Sequence, residues 1–124
     1  MQTVLLISLG AILGANLRYF VAQSVAKLVP SSFPLGTLII NFTASFVLAF
    51  FLIWTSERVL ADPRWRLFIA VGFCATYSTY SSYAFETFAL FERGQFTLAA
   101  LNILGSNVIC FIAVALGAVL ARTL

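Results

Sequence analysis

The stretch that decides the fold is Gly72-Phe-Cys-Ala-Thr-Tyr-Ser-Thr-Tyr-Ser-Ser-Tyr-Ala-Phe-Glu86, a hydroxyl-rich run inside a long apolar segment. Its Ser and Thr side chains can bond neighbouring backbone groups, so they compete with regular helical hydrogen bonding. We therefore predict that the helix carrying this run is broken within it. Because backbone freed in this way must be buried in protein or line water, the run is the first candidate for a functional segment.

The composition around this run is that of an integral membrane protein. Hydrophobic residues make up 62% of the 124 residues and charged residues only 9%, and the mean hydropathy is +1.05, far from the values of a soluble domain. Charged residues are clustered, and between the clusters lie four apolar segments of about the 20 residues that a spanning helix needs. We predict one all-α domain over residues 1–124, with transmembrane helices at about 3–26, 35–56, 67–91 and 95–121. The predicted break then lies near mid-membrane.

The chain offers little support for several other classes of protein. Cys74 and Cys110 lie inside predicted spans without metal-ligand spacing, and the chain has no His, so neither a disulfide framework nor a zinc site is indicated. The net charge is +3, but the basic residues are scattered at span ends, which favours contact with lipid headgroups over nucleic acid. The alternative that the first span is a signal peptide is disfavoured, because no basic region precedes it.

The basic residues give the chain almost no preferred orientation. With four spans, one side of the membrane carries Arg58, Arg64, Arg66 and Arg122, and the other carries Lys27, Arg93 and the snorkelling Arg18. A chain with so weak a bias can insert both ways. Since four short helices enclose a pathway poorly, we predict a homodimer with antiparallel copies; the alternative is a chain of single orientation that binds other partners.

Two of the predicted helices carry polar stripes. Span two places Thr37, Asn41 and Ser45 four residues apart, and span four repeats this spacing with Asn102, Ser106 and Cys110. Hydrocarbon cannot satisfy the Asn41 amide, so this side chain must meet either another helix or a permeating species. The pattern is compatible with two roles for these side chains: hydrogen bonds that hold two helices together, or the lining of a hydrated path through the protein.

Span one carries a different repeat on one face. Gly10 and Gly14 permit a close approach of another helix, and Arg18 follows at the same spacing. An ionised side chain inside a span usually faces protein or water, so a vestibule role for Arg18 stands beside simple snorkelling. The loops are marked by Pro30 and Pro34, by Asp62-Pro63 as a helix start, and by Gly94 as a helix end.

Beyond the predicted break, Thr79, Tyr83 and Glu86 share one helix face, with Tyr80 one turn before Tyr83. The positive edge of an aromatic ring attracts an anion, and a tyrosine hydroxyl can donate a hydrogen bond. The alternative to an anion site is that these aromatic side chains only pack against a neighbouring helix.

Taken in order, these fragments resemble the CrcB/Fluc fluoride channel family. The matching motifs are Gly10-Ala-Ile-Leu-Gly-Ala-Asn-Leu-Arg-Tyr19, Pro34-Leu-Gly-Thr-Leu-Ile-Ile-Asn41, Asp62-Pro-Arg-Trp65 and the run from Gly72 to Glu86. The resemblance implies a fluoride-selective channel of the cell inner membrane that works passively, without enzymatic chemistry. It also implies an antiparallel, dual-topology homodimer with two pores and a structural sodium ion at its centre.

Residue by residue, the resemblance implies a pore at Asn41, Tyr80 and Tyr83, and a vestibule at Arg18 and Glu86. It puts the sodium-binding backbone carbonyls at Ala75 and Ser78, and a polar track at Asn102 and Ser106. In the mechanism that we expect, Thr79 and Ser81 add hydrogen-bond donors for fluoride.

The chain departs from the family at two places. Ala75-Thr76 stands where the family has Gly-Gly, and the two usual phenylalanines are tyrosines. A register with Tyr77 and Tyr80 as the aromatic pair is also compatible with the repeat, although the distances to Gly72 and Glu86 favour Tyr80 and Tyr83. A tyrosine hydroxyl needs a hydrogen-bond partner that phenylalanine does not.

Two other functions compete with a channel. A small multidrug transporter is equally short and dual-topology, but its membrane glutamate lies in the first span, where this chain has none. A structural membrane subunit would instead pair its polar stripes with other chains.

Overall fold

The structure is a computed structural model that describes residues 1–57 and 62–124. Arg58, which contributes to the charge comparison above, lies outside this part of the chain. The described residues contain helices and no strand: α1 (Gln2–Leu28), α2 (Leu35–Glu57), α3 (Pro63–Trp65), a π-helical segment (Arg66–Cys74), α4 (Ala75–Tyr77), α5 (Tyr80–Glu92) and α6 (Phe96–Thr123). The predicted all-α fold is therefore confirmed, and the four predicted spans correspond to α1, α2, the pieces from α3 to α5, and α6.

Three of these helices, α1, α2 and α6, are each long and apolar enough to cross a membrane. Many large apolar side chains are exposed on the single chain, among them Phe20, Phe85 and Phe111. Exposure of so much apolar surface to water is energetically unfavourable, whereas lipid acyl chains or neighbouring protein can cover it. The chain is thus a multi-pass membrane protein.

The helix ends follow the local signals of the sequence. The Asp62 carboxylate accepts a hydrogen bond from the Arg64 N–H at 2.9 Å and caps α3, with Pro63 at the first helical position. At the end of α5, Gly94 has a φ of 69°, which glycine adopts without strain. The Gln95 N–H donates to Leu90 O at 2.9 Å and the Gly94 N–H donates to Phe91 O at 3.0 Å, which is the Schellman pattern.

The first span packs closely against the π-helical segment. Gly10 and Gly14 are buried on α1, and Gly72 is buried opposite them. A Cβ on Gly10 would meet the Phe68 carbonyl, and one on Gly14 would meet the Phe73 carbonyl. Because backbone atoms cannot move aside as a side-chain tip can, the small residues are required for this approach, as their spacing predicts.

A second close contact joins α2 to α6. Ala49 of α2 and Ala113 of α6 are buried, and Gly117 of α6 lies against the Phe46 carbonyl of α2. Small residues at such an interface let two backbones approach and gain van der Waals contact, which drives association of helices in lipid. The α2 helix therefore packs closely against α6 on one side and contacts the third span on another.

Candidate functional site

The third span is interrupted inside the hydroxyl-rich run. The α4 helix ends at Tyr77, Ser78 and Thr79 have extended backbone with φ/ψ of −73°/159° and −152°/115°, and α5 begins at Tyr80. Thr79 caps α5, because its side-chain oxygen accepts a hydrogen bond from the Ser82 N–H at 3.1 Å. The interruption separates the end of one helix from the start of the next within a single span.

Asn41 on α2 satisfies the backbone at this interruption. Its Nδ2 donates to Thr79 O at 3.1 Å, and the Thr79 N–H donates to its Oδ1 at 2.8 Å. In a continuous helix that N–H would bond to Ala75 O instead. The amide of a neighbouring helix thus replaces the helical hydrogen bonding that Thr79 has lost.

A groove of about 370 Å³ opens beside this contact. Six of the predicted site residues line it, namely Asn41, Ser78, Thr79, Tyr80, Tyr83 and Ser106. The α2, α5 and α6 helices contribute its walls, and the interrupted backbone contributes one end. A concave site that mixes hydroxyls, amides and aromatic rings in this way can accept a small polar species and replace part of its hydration.

The two tyrosines of the groove differ in their surroundings. Their ring centroids are 5.5 Å apart with planes tilted by 49°. Tyr80 is 80% exposed on the single chain, whereas Tyr83 is partly buried and its hydroxyl accepts a hydrogen bond from Asn107 Nδ2 at 3.4 Å.

Tyr77, the other aromatic residue of the repeat, is buried away from the groove. Its ring stacks on Phe73 with centroids 5.5 Å apart, and its hydroxyl is hydrogen-bonded to Thr43 Oγ1 at 2.9 Å. This position gives Tyr77 a packing role, and Tyr80 and Tyr83 are the aromatic pair that faces the groove.

Other predicted site residues lie outside the groove lining. Ser81 is exposed, and its hydroxyl is 3.3 Å from Thr79 Oγ1. Asn102 is only 1% exposed; its amide donates to Thr87 Oγ1 at 2.8 Å, and its Oδ1 accepts from Ser106 at 3.1 Å. The polar stripe of α6 therefore joins α6 to α5 by a buried hydrogen-bond chain, of which Ser106 reaches the groove.

Glu86 and Arg18 occupy separate places. Glu86 Oε1 accepts a hydrogen bond from Thr37 at 2.9 Å, while Oε2 is buried and has no hydrogen-bond partner among the described residues. The carboxylate lines two cavities, of about 400 and 240 Å³, beside the 29–34 loop. Arg18 is partly buried on α1 and lines none of the cavities described here.

The interruption also leaves two backbone carbonyls, those of Ala75 and Ser78, without their usual helical donors. The N–H groups that a continuous helix would direct at Ala75 O and Ser78 O are those of Thr79 and Ser82, and both donate to side-chain oxygens instead. Ala75 is the first residue of α4, and Ser78 directly follows its last residue. The carboxylates and cysteines of residues 1–57 and 62–124 form no cluster of three that could hold a metal.

Three residues with polar or thiol side chains line the groove without being among the predicted site residues. Ser45 and Cys110 line the groove, and their i, i+4 spacing to Asn41 and Ser106 is the signal that points to them. Asn107 also lines it. It lies beside the α6 stripe in sequence, and only its contact with Tyr83 shows which way it faces.

Comparison with known proteins places these features in a family. Residues 5–118 match the family described as CrcB-like protein, Camphor Resistance (CrcB). The chain is 50% identical over 118 residues to the fluoride-specific ion channel FluC of Koribacter versatilis (strain Ellin345), covering 95% of this chain and 94% of that protein. Proteins of the same name from Sulfurihydrogenibium sp. (strain YO3AOP1) and Pyrococcus abyssi (strain GE5 / Orsay) are 43% and 37% identical, with 100% and 98% of each chain covered. These similarities do not favour the multidrug transporter.

Proposed function

Since this chain belongs to the CrcB family, we propose that it is a fluoride-selective channel that lets fluoride leave the cell passively. The observation that carries the proposal is the groove at the interrupted third span, where Asn41 holds Thr79 and the rings of Tyr80 and Tyr83 lie side by side. Relatives with the name fluoride-specific ion channel FluC, which the chain covers almost completely, support fluoride as the substrate.

The channel works as an antiparallel homodimer in the cell inner membrane. The groove is open on one side in the single chain, and Tyr80, which lines it, is 80% exposed. A second copy in the opposite orientation closes the groove and provides the same groove again, giving two pores. The nearly balanced basic residues on the two sides of the membrane support this dual topology.

Fluoride passes along the groove by exchanging water for protein donors. Arg18 and Glu86, which lie outside the groove lining, belong to the vestibules. Asn41, Thr79 and Ser81 supply amide and hydroxyl groups near the interruption. The ring edges of Tyr80 and Tyr83 add weak attraction, and Ser106, held by Asn102, continues the polar wall. Directional donors in a narrow path suit a small, hard anion, and conduction requires that no single site bind it too tightly.

A structural sodium ion at the dimer centre fits the donors that the chain offers. Sodium is a hard cation that prefers oxygen, and the interruption near mid-membrane leaves the Ala75 and Ser78 carbonyls without the N–H groups of a continuous helix. Four such carbonyls from two copies would hold the ion, and its charge would offset the burial of anions nearby. Ala75 is exposed on the single chain, where a partner copy can reach it.

Ion efflux from liposomes that contain only this protein tests the proposal. We expect fluoride to leave without an imposed proton gradient and chloride to leave far more slowly. Drug-coupled proton movement would instead indicate a transporter, and the absence of any solute movement would indicate a structural subunit. Either result would overturn the proposed function.

A further inference from the structure

The Tyr83 hydroxyl is a groove feature that an aromatic ring alone would not provide. Its oxygen accepts a hydrogen bond from Asn107 Nδ2 at 3.4 Å, longer than the usual range of about 2.7–3.2 Å for N–H···O bonds. The same Nδ2 donates to Ile103 O at 2.6 Å, one helical turn earlier on α6. Both amide hydrogens of Asn107 thus have acceptors, and this fixes the side chain against α5.

A phenol oxygen that accepts a hydrogen bond keeps its own hydrogen for donation. None of the residues in the described ranges accepts that hydrogen from Tyr83, and both Tyr83 and Asn107 line the groove. Building on the proposed channel function, we propose that the Tyr83 hydroxyl donates a hydrogen bond to the anion in the groove and that Asn107 is the positioning residue for this hydroxyl.

The hydroxyl changes what the groove recognises. A ring edge attracts an anion weakly and with little directionality, whereas an O–H donor makes a short, directed bond to a charged acceptor. Such a bond is strongest for the smallest halide, so the Tyr83 hydroxyl favours fluoride over chloride. Tyr80 lacks this arrangement, because its hydroxyl has no hydrogen-bond partner in the described parts of the chain and its ring is 80% exposed.

A double-mutant cycle on fluoride efflux tests the proposal. Tyr83→Phe is expected to lower the efflux rate about tenfold or more, the factor that corresponds to one hydrogen bond to a charged group. Asn107→Leu should lower it by a similar factor in the unmodified chain and should have no further effect in the Tyr83→Phe background. The matched control is Asn16→Leu, which removes the same kind of intrahelical bond, from Nδ2 to Ile12 O at 2.7 Å. Its effect should be the same in both backgrounds.

A spectroscopic readout separates positioning from a merely structural role. In protein with tyrosine labelled at Cζ, fluoride should shift the resonance that disappears in Tyr83→Phe, and chloride should not. Asn107→Leu should reduce that shift. An equal effect of Asn107→Leu in both tyrosine and phenylalanine backgrounds, or no fluoride-dependent shift, would overturn the proposal.

The failure of this inference is distinguishable from failure of the channel function. If Tyr83→Phe conducts like the unmodified protein while Asn41→Ala does not, the hydroxyl has no role but the channel stands. If the unmodified protein releases no fluoride, the channel function itself is wrong, and the proposed role of Tyr83 falls with it.

Discussion

Replacing Asn41 tests the connection between the interruption and conduction most directly. Asn41→Ala removes two hydrogen bonds, from Nδ2 to Thr79 O at 3.1 Å and from the Thr79 N–H to Oδ1 at 2.8 Å. Each is worth about 1 kcal/mol net, and a buried backbone group left without a partner costs about 1–3 kcal/mol. Since the change leaves both the Thr79 N–H and Thr79 O without a partner, the total is about 2–6 kcal/mol, which corresponds to a loss of at least about 30-fold if the intact arrangement is needed for passage.

The assay is fluoride efflux from liposomes, with size-exclusion chromatography of the same protein in detergent. We expect efflux to fall at least 30-fold while the elution volume stays that of the unmodified assembly, since the close contacts of α1 and α6 do not involve Asn41. Asn41→Asp keeps the acceptor for the Thr79 N–H but sets a carboxylate against Thr79 O, so it should also abolish efflux. Asn16→Ala is the control, because Asn16 is exposed and bonds only within α1. Efflux within twofold of the unmodified protein in Asn41→Ala would refute the reasoning.

Three further changes test packing and surface charge. Gly14→Leu should lower the free energy of unfolding in detergent by about 1–3 kcal/mol or more, because the new side chain would meet the backbone of the third span. Gly105→Leu is the control, because Gly105 faces open space, and it should change the free energy of unfolding little. Asn102→Leu should cost about 1–3 kcal/mol of unfolding free energy by breaking a fully buried hydrogen-bond chain, and an unchanged denaturation midpoint would contradict that chain. Glu57→Gln should alter stability by less than about 1 kcal/mol, since the ion pair with Arg122 at 3.2 Å is exposed; a large shift in melting temperature would show that the pair is buried by a partner.

The sequence predicts the elements of this fold well because their signals are local. Apolar length predicts the spans, Asp62 predicts a capped helix start, and Gly94 predicts a left-handed helix end. The helix that leads into the third span begins at Pro63, as the Asp62-Pro63 signal predicts, so its first turn precedes the predicted span of 67–91.

The pairing of side chains across helices could not be predicted in the same way. The spacing of Asn41 shows that it needs a partner, but it does not show that the partner is the backbone of Thr79. Likewise, Glu86 shares a helix face with Tyr83 by periodicity, yet Thr37 holds it beside other cavities. Such contacts depend on the rotation and depth of one helix against another, which a single sequence does not encode locally.

The dependence of the interrupted third span on an amide from α2 has a consequence for biogenesis. The α2 helix leaves the ribosome before the third span does, so Asn41 is already in the bilayer when Thr79 arrives. Without that amide, the unpaired backbone of the later segment would oppose its transfer into lipid. Because α2 is synthesised first, it can act as an insertion partner for the third span of the same chain. We expect a chain in which the order of these two segments is exchanged to insert into the membrane poorly.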